Sequence, residues 1–196
     1  MPKNQNHDSQ REKIAEVAWA IVRRDGVEAA SVRNIAKESG LSMGAMRHYF
    51  RSQADLYIYL MELVSKKAGS RIEALIATTS APTMLQLVHL LMQLLPVHPE
   101  TKLEMEVWLW FNAKAARTPA LKPFNAKIYE ENMLLIKLVI EALIYLNMAK
   151  KQLDVPYETE RLYALVDGLA VHCFMRPDAA DEKKVESTLL RHLQEL

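Results

Sequence analysis

The chain has 196 residues, half of them hydrophobic, and a formal net charge of +1. This length allows one large domain, or a small domain joined to a larger one, and the near-neutral charge excludes a strongly basic protein. The charges are unevenly distributed, since eleven Lys and Arg stand against eight Asp and Glu up to Lys67, and fourteen against sixteen after it. A basic N-terminal part on an acidic body weakly indicates a polyanionic partner.

The single cysteine, Cys173, excludes an intramolecular disulfide and favours a reducing compartment. No apolar signal segment follows Met1, and residues 1–10 are polar and expected to be flexible. Charged residues interrupt the longest apolar stretches, so no segment is expected to span a membrane. We therefore expect a soluble, cytoplasmic protein that does not contact a membrane.

The N-terminal part predicts three short helices and the start of a long one. The first carries a stripe of apolar residues on one face and ends at Asp25-Gly26, where glycine suits the residue after a helix. Ser31 and Ser42 are predicted N-caps of the second and third helices, and Gly40 separates them. Ser52 and Asp55 resemble a capping box at the start of a helix that runs to about Ile76. The stripe consists of Ile14, Val17, Ala18, Ile21 and Val22.

The remaining segments are longer and more apolar, and prolines or acidic residues mark their ends. Together with the N-terminal part they predict an all-α fold of about nine helices, with an N-terminal three-helix helix-turn-helix domain and a larger C-terminal helical bundle. We predict domain bounds of 11–55 for the first and 56–196 for the second. The five later helices are expected at Pro82–Leu95, Glu100–Ala116, Phe124–Met148, Tyr157–Met175 and Asp181–Leu196.

The third predicted helix, Ser42–Phe50, has two contrasting faces. Met46 and Phe50 are four residues apart and can pack inward with Leu41, which leaves an unusual outer face with a methionine, a glycine and two hydrogen-bonding side chains. Glycine permits close approach of a large partner, and an arginine can donate two hydrogen bonds to guanine O6 and N7. The outer face consists of Met43, Gly44, Arg47 and His48.

A helix–Gly-turn–helix of this kind is typical of a reader of the DNA major groove. Hydroxyl groups, basic side chains and helix N-termini suit phosphate oxygens. The alternative is a turn between two core helices whose charged side chains face water. The residues that we assign to DNA contacts are Ser31, Arg33, Ser42, Met43, Gly44, Arg47, His48 and Tyr49.

The segment IAEVAWAIVRRDGVEAASVRNIAKESGLSMGAMRHYFRSQADLYIYL resembles the N-terminal domain of the TetR family of bacterial transcriptional regulators. The shared features are the apolar stripe ending in Gly26, the Ser-Val-Arg-x-Ile-Ala run, the Gly-Leu-Ser turn, Gly44, and His-Tyr-Phe before a Ser-capped helix. The stretch LVDGLAVHC is most similar to the subgroup that includes the choline-responsive Bet repressor. Two departures stand out: Arg47 where many members have tyrosine, and Gln53 where many have a lysine.

The resemblance implies a homodimer that binds a double-stranded DNA operator and encloses a small-molecule effector. An effector that prefers the non-binding conformation lowers DNA affinity, and the long helix Ser52–Ile76 is the implied moving part. Arg47 indicates a guanine contact in the half-site, whereas Gln53 removes a phosphate contact. We expect a near-palindromic operator, because two helix-turn-helix motifs then read successive major grooves.

Apolar stripes on the last two predicted helices offer a dimer interface. The alternative interpretation is that these stripes form the ordinary core of one protomer. The interface residues that we predict are Leu162, Leu165, Val166, Leu169, Val185, Leu189 and Leu193.

An aromatic–acid cluster around Glu104 and Trp108 would suit a cationic or aromatic effector. The alternative interpretation is that these residues belong to the ordinary hydrophobic core and that Glu104 faces water. The predicted effector pocket consists of Met92, Glu104, Met105, Trp108, Phe111, Tyr129, Met133 and Phe174.

The sequence offers no nucleophile with a base, no phosphate loop and no metal-ligand set, so we expect neither an enzyme nor a cofactor nor a metal. His172 and Cys173 are neighbours on a helix and point about 100° apart, so they do not form a dyad. The rival interpretation to a DNA-binding regulator is a helical bundle that binds a ligand or partner and carries a vestigial helix-turn-helix.

Overall fold

The computed structural model describes residues 2–77, 81–150, 152–177 and 181–196. Over these residues the fold is all-α, which confirms the predicted fold class, and it contains nine α-helices and two short 3₁₀ turns. The helices are α1 (Pro2–Asp25), α2 (Val32–Glu38), α3 (Met43–Tyr49), α4 (Gln53–Ile76), α5 (Met84–Met92), α6 (Pro99–Ala115), α7 (Lys122–Tyr145), α8 (Val155–Met175) and α9 (Glu182–Glu195).

The chain divides into two compact units. The first consists of Met1–Leu63 and Val107–Lys122, and the second of Val64–Glu106 and Pro123–Leu196. The division therefore falls inside α4 and again inside α6. The second half of α6 joins the first unit because Trp110 packs edge-on against Tyr57 of α4, with ring centroids 4.2 Å apart.

Helix ends in the first unit follow the predicted capping chemistry. The hydroxyl oxygens of Ser31 and Ser42 accept hydrogen bonds from the backbone N–H groups of Asn34 and Ala45, which confirms both N-caps. Gly26 and Gly40 have positive φ angles of 83° and 67°, a conformation that glycine adopts at little cost. The capping box at α4 is displaced, since the Asp55 carboxylate accepts from the backbone of Arg51 and not from that of Ser52.

The core of the first unit is built from α1, α2, α3 and the start of α4. α1 packs against α2, and α2 packs against α3. The predicted stripe of α1 is buried except for Val17, which is half-buried. Met46 and Phe50 are fully buried, as their spacing predicts. The largest side chains that fill this core are Ile14, Ile21, Ile35, Met46, Phe50 and Leu56.

The second unit has a separate core, in which α5 packs against α9. α5 begins later than predicted because Thr83 is its N-cap and forms a capping box with Gln86. α7 ends earlier than predicted, at Tyr145, and Asn147 just after it has a φ of 54°, which lets the backbone N–H of Met148 bond back to Leu143 O (2.8 Å). The core residues include Leu87, Leu91, Leu95, Ile136, Ile140, Leu143, Leu162, Val166, Leu189 and Leu193.

Candidate nucleic-acid interface

The outer face of α3 is exposed. Met43 is 45% exposed, and Gly44, Arg47 and His48 are exposed, whereas Met46 on the opposite face is fully buried. The helix therefore presents an apolar group, a bare backbone and two hydrogen-bonding side chains on one exposed strip.

Gly44 is not required by the packing of the protein itself. A methyl group placed on its Cα would meet only Ser42 Oγ, at 3.7 Å, which is an ordinary contact distance. Glycine in a helix costs about 1 kcal/mol relative to alanine. A residue that weakens the helix and serves no internal contact is consistent with clearance for an external partner.

Ser31 and Ser42 accept hydrogen bonds within their own helices, at 3.2 Å from Asn34 N and 3.0 Å from Ala45 N. Each hydroxyl still has its hydrogen to donate, because the cap uses only an oxygen lone pair. Arg33 is exposed and Tyr49 is half-buried. The predicted DNA-contacting residues thus lie on α2 and α3 or at their N-termini.

An ion-pair network joins α1 to the C-terminal end of α2. The Arg24 guanidinium donates two hydrogen bonds to the Glu38 carboxylate, at 3.1 and 2.9 Å, and also bonds to Asp25. Hydrogen bonds from Arg24 lower the pKa of both carboxyl groups. These groups are exposed, so the network orients the turn but contributes little to stability.

The predicted effector residues are distributed over both compact units. Trp108 and Phe111 belong to the first unit, and the other six belong to the second. Met92 and Met105 are buried in the core, whereas Tyr129 and Phe174 are exposed.

Glu104 does not present a free carboxylate, which corrects its predicted role. Both of its oxygens accept hydrogen bonds from the Arg71 guanidinium, at 3.0 and 2.7 Å, and Arg71 also bonds to Gln93. Glu104 is almost fully buried, so its charge requires this partner. Sequence spacing gave no sign of the pair, because 33 residues separate the two side chains.

Five of the seven predicted interface residues are buried inside the protomer. Almost no surface of these five residues is exposed, so they cannot contact a partner subunit. They are Leu162, Val166, Val185, Leu189 and Leu193. Leu165 and Leu169 are half-buried. These five residues of α8 and α9 are therefore protomer core. The exposed face of α8 lies on the other side, where Tyr157, Ala164 and Met175 are exposed and Gly168 is half-buried.

A second aromatic–acid group, which the sequence did not reveal, lies on α7 and α8. The rings of Tyr129 and Tyr163 have centroids 5.3 Å apart, and the Asn132 amide donates to the Tyr163 hydroxyl at 3.4 Å. Asp167 follows one turn after Tyr163. Burial raises the pKa of its carboxyl to about 6, and no hydrogen bond or ion pair reaches it from the residues that the structure describes.

A cleft of about 430 Å³ lies between α8 and α9, and its lining combines the basic His172, Arg176 and Lys184 with the acidic Asp181 and the apolar Leu169 and Val185. The buried Cys173 forms part of its wall. Burial raises the pKa of the Cys173 thiol, so a smaller fraction of it is ionised at neutral pH than in an exposed cysteine.

The described parts of the chain contain no group of three or more His, Cys, Asp or Glu side chains that could hold a metal ion. None of the helices within those same parts is long and apolar enough to cross a membrane.

Comparison with known families gives two matches that together cover most of the chain. Residues 14–60 match the model described as bacterial regulatory proteins, tetR family. Residues 85–196 match the model of the BetI-type transcriptional repressor, C-terminal.

Individual relatives agree with these matches. The HTH-type transcriptional regulator PksA of Bacillus subtilis is 36% identical over 199 residues, which covers all of this chain and 94% of PksA. A putative transcriptional regulator from Saccharomonospora viridis, solved in complex with choline, has a TM-score of 0.82 at 24% identity and covers 95% of this chain and 96% of its own. A TetR transcription regulator from Haloarcula marismortui has a TM-score of 0.79 at 21% identity, with 95% and 97% covered. This chain belongs to the TetR family of bacterial transcriptional regulators.

Proposed function

We propose that the protein is a cytoplasmic repressor that binds a near-palindromic operator as a homodimer and is released from DNA by a small organic cation. The observation that carries the DNA-binding part is the exposed strip of α3, in which Gly44 has no internal role and Arg47 is exposed beside it. An arginine on a helix in the major groove pairs with guanine through two hydrogen bonds. Arg33 and the caps of α2 and α3 are suited to phosphate oxygens.

Arg47→Ala tests the base contact. We expect it to weaken binding to the duplex that the wild-type protein selects from random DNA by about 1–3 kcal/mol and to relax the preference at one guanine in each half-site. Fluorescence anisotropy across a range of salt concentrations measures both effects. Arg117→Ala, which removes the same charge from an exposed position after α6, is the matched control.

Two outcomes would contradict the proposal. Unchanged affinity and preference in Arg47→Ala would remove Arg47 from the base contacts. Equal binding of selected and random duplexes by the wild-type protein would favour the rival, a ligand-binding bundle with a vestigial helix-turn-helix.

The α7–α8 group supports an organic cation as effector. Tyr129 presents an exposed ring, Tyr163 lies against it, and Asp167 is a desolvated carboxylate with no partner among the described residues. Aromatic faces and a carboxylate together favour a quaternary ammonium group. The related regulator that was solved with choline supports the same ligand class. The α8–α9 cleft carries His172, Arg176 and Lys184 against one carboxylate, Asp181, and so suits a cation less well.

Choline is the probe for this site. We expect Asp167→Asn to abolish choline binding measured by calorimetry at pH 7.5, whereas Glu130→Gln on the exposed side of α7 leaves it unchanged. Because the pKa of Asp167 is about 6, wild-type affinity should fall between pH 7.5 and pH 5 as the carboxyl is protonated. Equal choline affinity in Asp167→Asn and wild type would exclude this carboxylate, and no binding by the wild type would exclude choline.

A further inference from the structure

The cleft between α8 and α9 is lined by both apolar and charged side chains. Cys173 and Val185 are buried and Leu169 is half-buried, so these three residues form an apolar part of its wall. The exposed Arg176 and Lys184 line it as well. Its volume of about 430 Å³ lies within the range of about 300–1,000 Å³ that small-molecule sites occupy. The cleft therefore has space for a small molecule with an apolar part and a charged part.

Positive charges outnumber negative charges in the lining of this cleft. Its carboxylate, Asp181, is the N-cap of α9 and accepts a hydrogen bond from the backbone N–H of Lys183 at 3.0 Å. The side chains of Arg176 and Lys184 have no hydrogen-bond or ion-pair partner among the residues that the structure describes. His172 adds a ring nitrogen that can donate a hydrogen bond. Two cationic side chains are therefore available to an external anion.

The positive charge of Lys102, on α6, also acts on this cleft. Burial raises the pKa of the Cys173 thiol, and the Lys102 ammonium lowers it by a smaller amount, so Lys102 lies near enough to interact electrostatically with the wall. Lys102 and the residues that line the cleft belong to the same compact unit, the second. The charges around the apolar part of the wall therefore favour an anion.

We propose that the α8–α9 cleft binds a small organic anion that has a carboxylate and a short apolar chain. The carboxylate contacts Arg176, which can donate two parallel hydrogen bonds, and Lys184, which adds a point charge. The chain lies against Leu169, Cys173 and Val185, where it is removed from water. This site shares no residue with the α7–α8 group that we propose for a cation, and it does not depend on the proposed function.

Octanoate is the probe for this site, and calorimetry on the full-length protein at pH 7.5 measures its binding. We expect Arg176→Gln and Lys184→Gln each to weaken octanoate binding about tenfold, the effect of losing one hydrogen bond to a charged group. Both side chains are exposed, so the variants should fold normally. Lys183→Gln is the matched control, since it removes the same charge from the next position of α9, which does not line the cleft. Octylammonium, with the same chain and the opposite charge, should bind more weakly than octanoate.

The Cys173 thiol reports whether octanoate occupies the cleft. Bound octanoate should slow alkylation of Cys173 by iodoacetamide, because its chain covers the thiol and its carboxylate opposes formation of the thiolate. Arg176→Gln should reduce this protection at the same octanoate concentration.

Three outcomes would overturn the proposal. The first is no octanoate binding by the wild type, or equal affinity in the wild type, Arg176→Gln and Lys184→Gln. The second is an equal loss in Lys183→Gln, which would indicate attraction to the general charge of α9. The third is alkylation of Cys173 at the same rate with and without octanoate, which would place any bound octanoate elsewhere.

Discussion

The residue types at positions 44 and 53 are not explained by the helices that contain them. A methyl group at Gly44 would meet no backbone and only one ordinary contact, so glycine there weakens α3 for no internal gain. The Gln53 side chain accepts a hydrogen bond from Val32 N–H and donates one to Ala30 O. At both positions a partner outside the helix explains the residue type. For Gly44 we propose that this partner is DNA, and for Gln53 it is the N-terminus of α2.

Gly44→Ala should change stability and DNA affinity in opposite directions. Alanine is the better helix former, so we expect the free energy of unfolding to rise by about 0.5–1 kcal/mol. The added methyl group should at the same time weaken binding to the selected duplex, because it separates α3 from the base edges. Urea unfolding and anisotropy measure the two effects.

Gly69→Ala on α4 is the control for Gly44→Ala. Its methyl group also enters open space within the protein, so it should give a similar gain in stability. It should leave DNA affinity unchanged. Unchanged DNA affinity in Gly44→Ala would show that α3 does not approach DNA at this residue.

Residue-level predictions succeeded where the cause was local in sequence. Ser31 and Ser42 cap the helices that follow them, and Gly26 has the positive φ that its place after α1 indicates. The partners of Gln53 and Arg71 lie 21 or more residues away, so no spacing rule could identify them. Glu104 was therefore assigned to a ligand although its charge is already neutralised by Arg71.

At the scale of elements, α4 and α6 are joined by two contacts of different chemistry. Tyr57 and Trp110 make an aromatic contact in the first unit, and Arg71 and Glu104 make an ion pair in the second. The two partners of the ion pair differ in how deeply they are buried. Glu104 is the more deeply buried partner, since its side chain is 8% exposed and that of Arg71 is 27% exposed.

This difference in burial predicts unequal effects of the two single substitutions. Arg71→Ala leaves a buried carboxylate without its cation and should cost about 3 kcal/mol of unfolding free energy. Glu104→Gln leaves a partly exposed guanidinium that can reach water and Gln93, so it should cost about 1 kcal/mol. Urea unfolding followed by tryptophan fluorescence measures both, and a larger loss in Glu104→Gln would contradict the assignment of the buried partner.

Periodicity identified the apolar faces of α8 and α9 but not what covers them. Leu162, Val166 and Leu189 repeat at helical spacing, which is the same for a protomer core and for a dimer interface. Only the packing of α5 against α9 decides between the two. The end of α7 was missed for a different reason, because Asn147 adopts positive φ less often than glycine and gave a weaker signal.

For the whole molecule, the burial of those stripes moves the proposed dimer contact to the exposed face of α8. Met175 is 72% exposed, Tyr157 is 60% exposed, and a methyl group at Gly168 would meet nothing within its own protomer. On this face the exposed Ala164 and the half-buried Gly168 are small, which allows two helices to approach closely. We propose that two copies of the chain associate through this face.

Gly168→Leu tests that association. Leucine suits a helix and its Cβ would meet no atom within 4 Å in the protomer, so the variant should fold normally, but in a dimer its side chain would separate the two copies of α8. Sedimentation equilibrium at micromolar concentration should find a monomer, and affinity for the selected duplex should fall. Gly69→Leu, which also enters open space, should remain a dimer, and a dimeric Gly168→Leu would exclude this face.

The burial of Cys173 has a practical consequence for spectroscopy. Its thiol is the single native one and, with a raised pKa inside the second unit, reacts slowly with alkylating probes. A cysteine introduced in place of the exposed Met43 should react with a spin-label reagent much faster than Cys173, so almost all of the label would be at position 43. In a homodimer the two labels report the separation of the two copies of α3, which one turn of B-DNA requires to be about 34–36 Å.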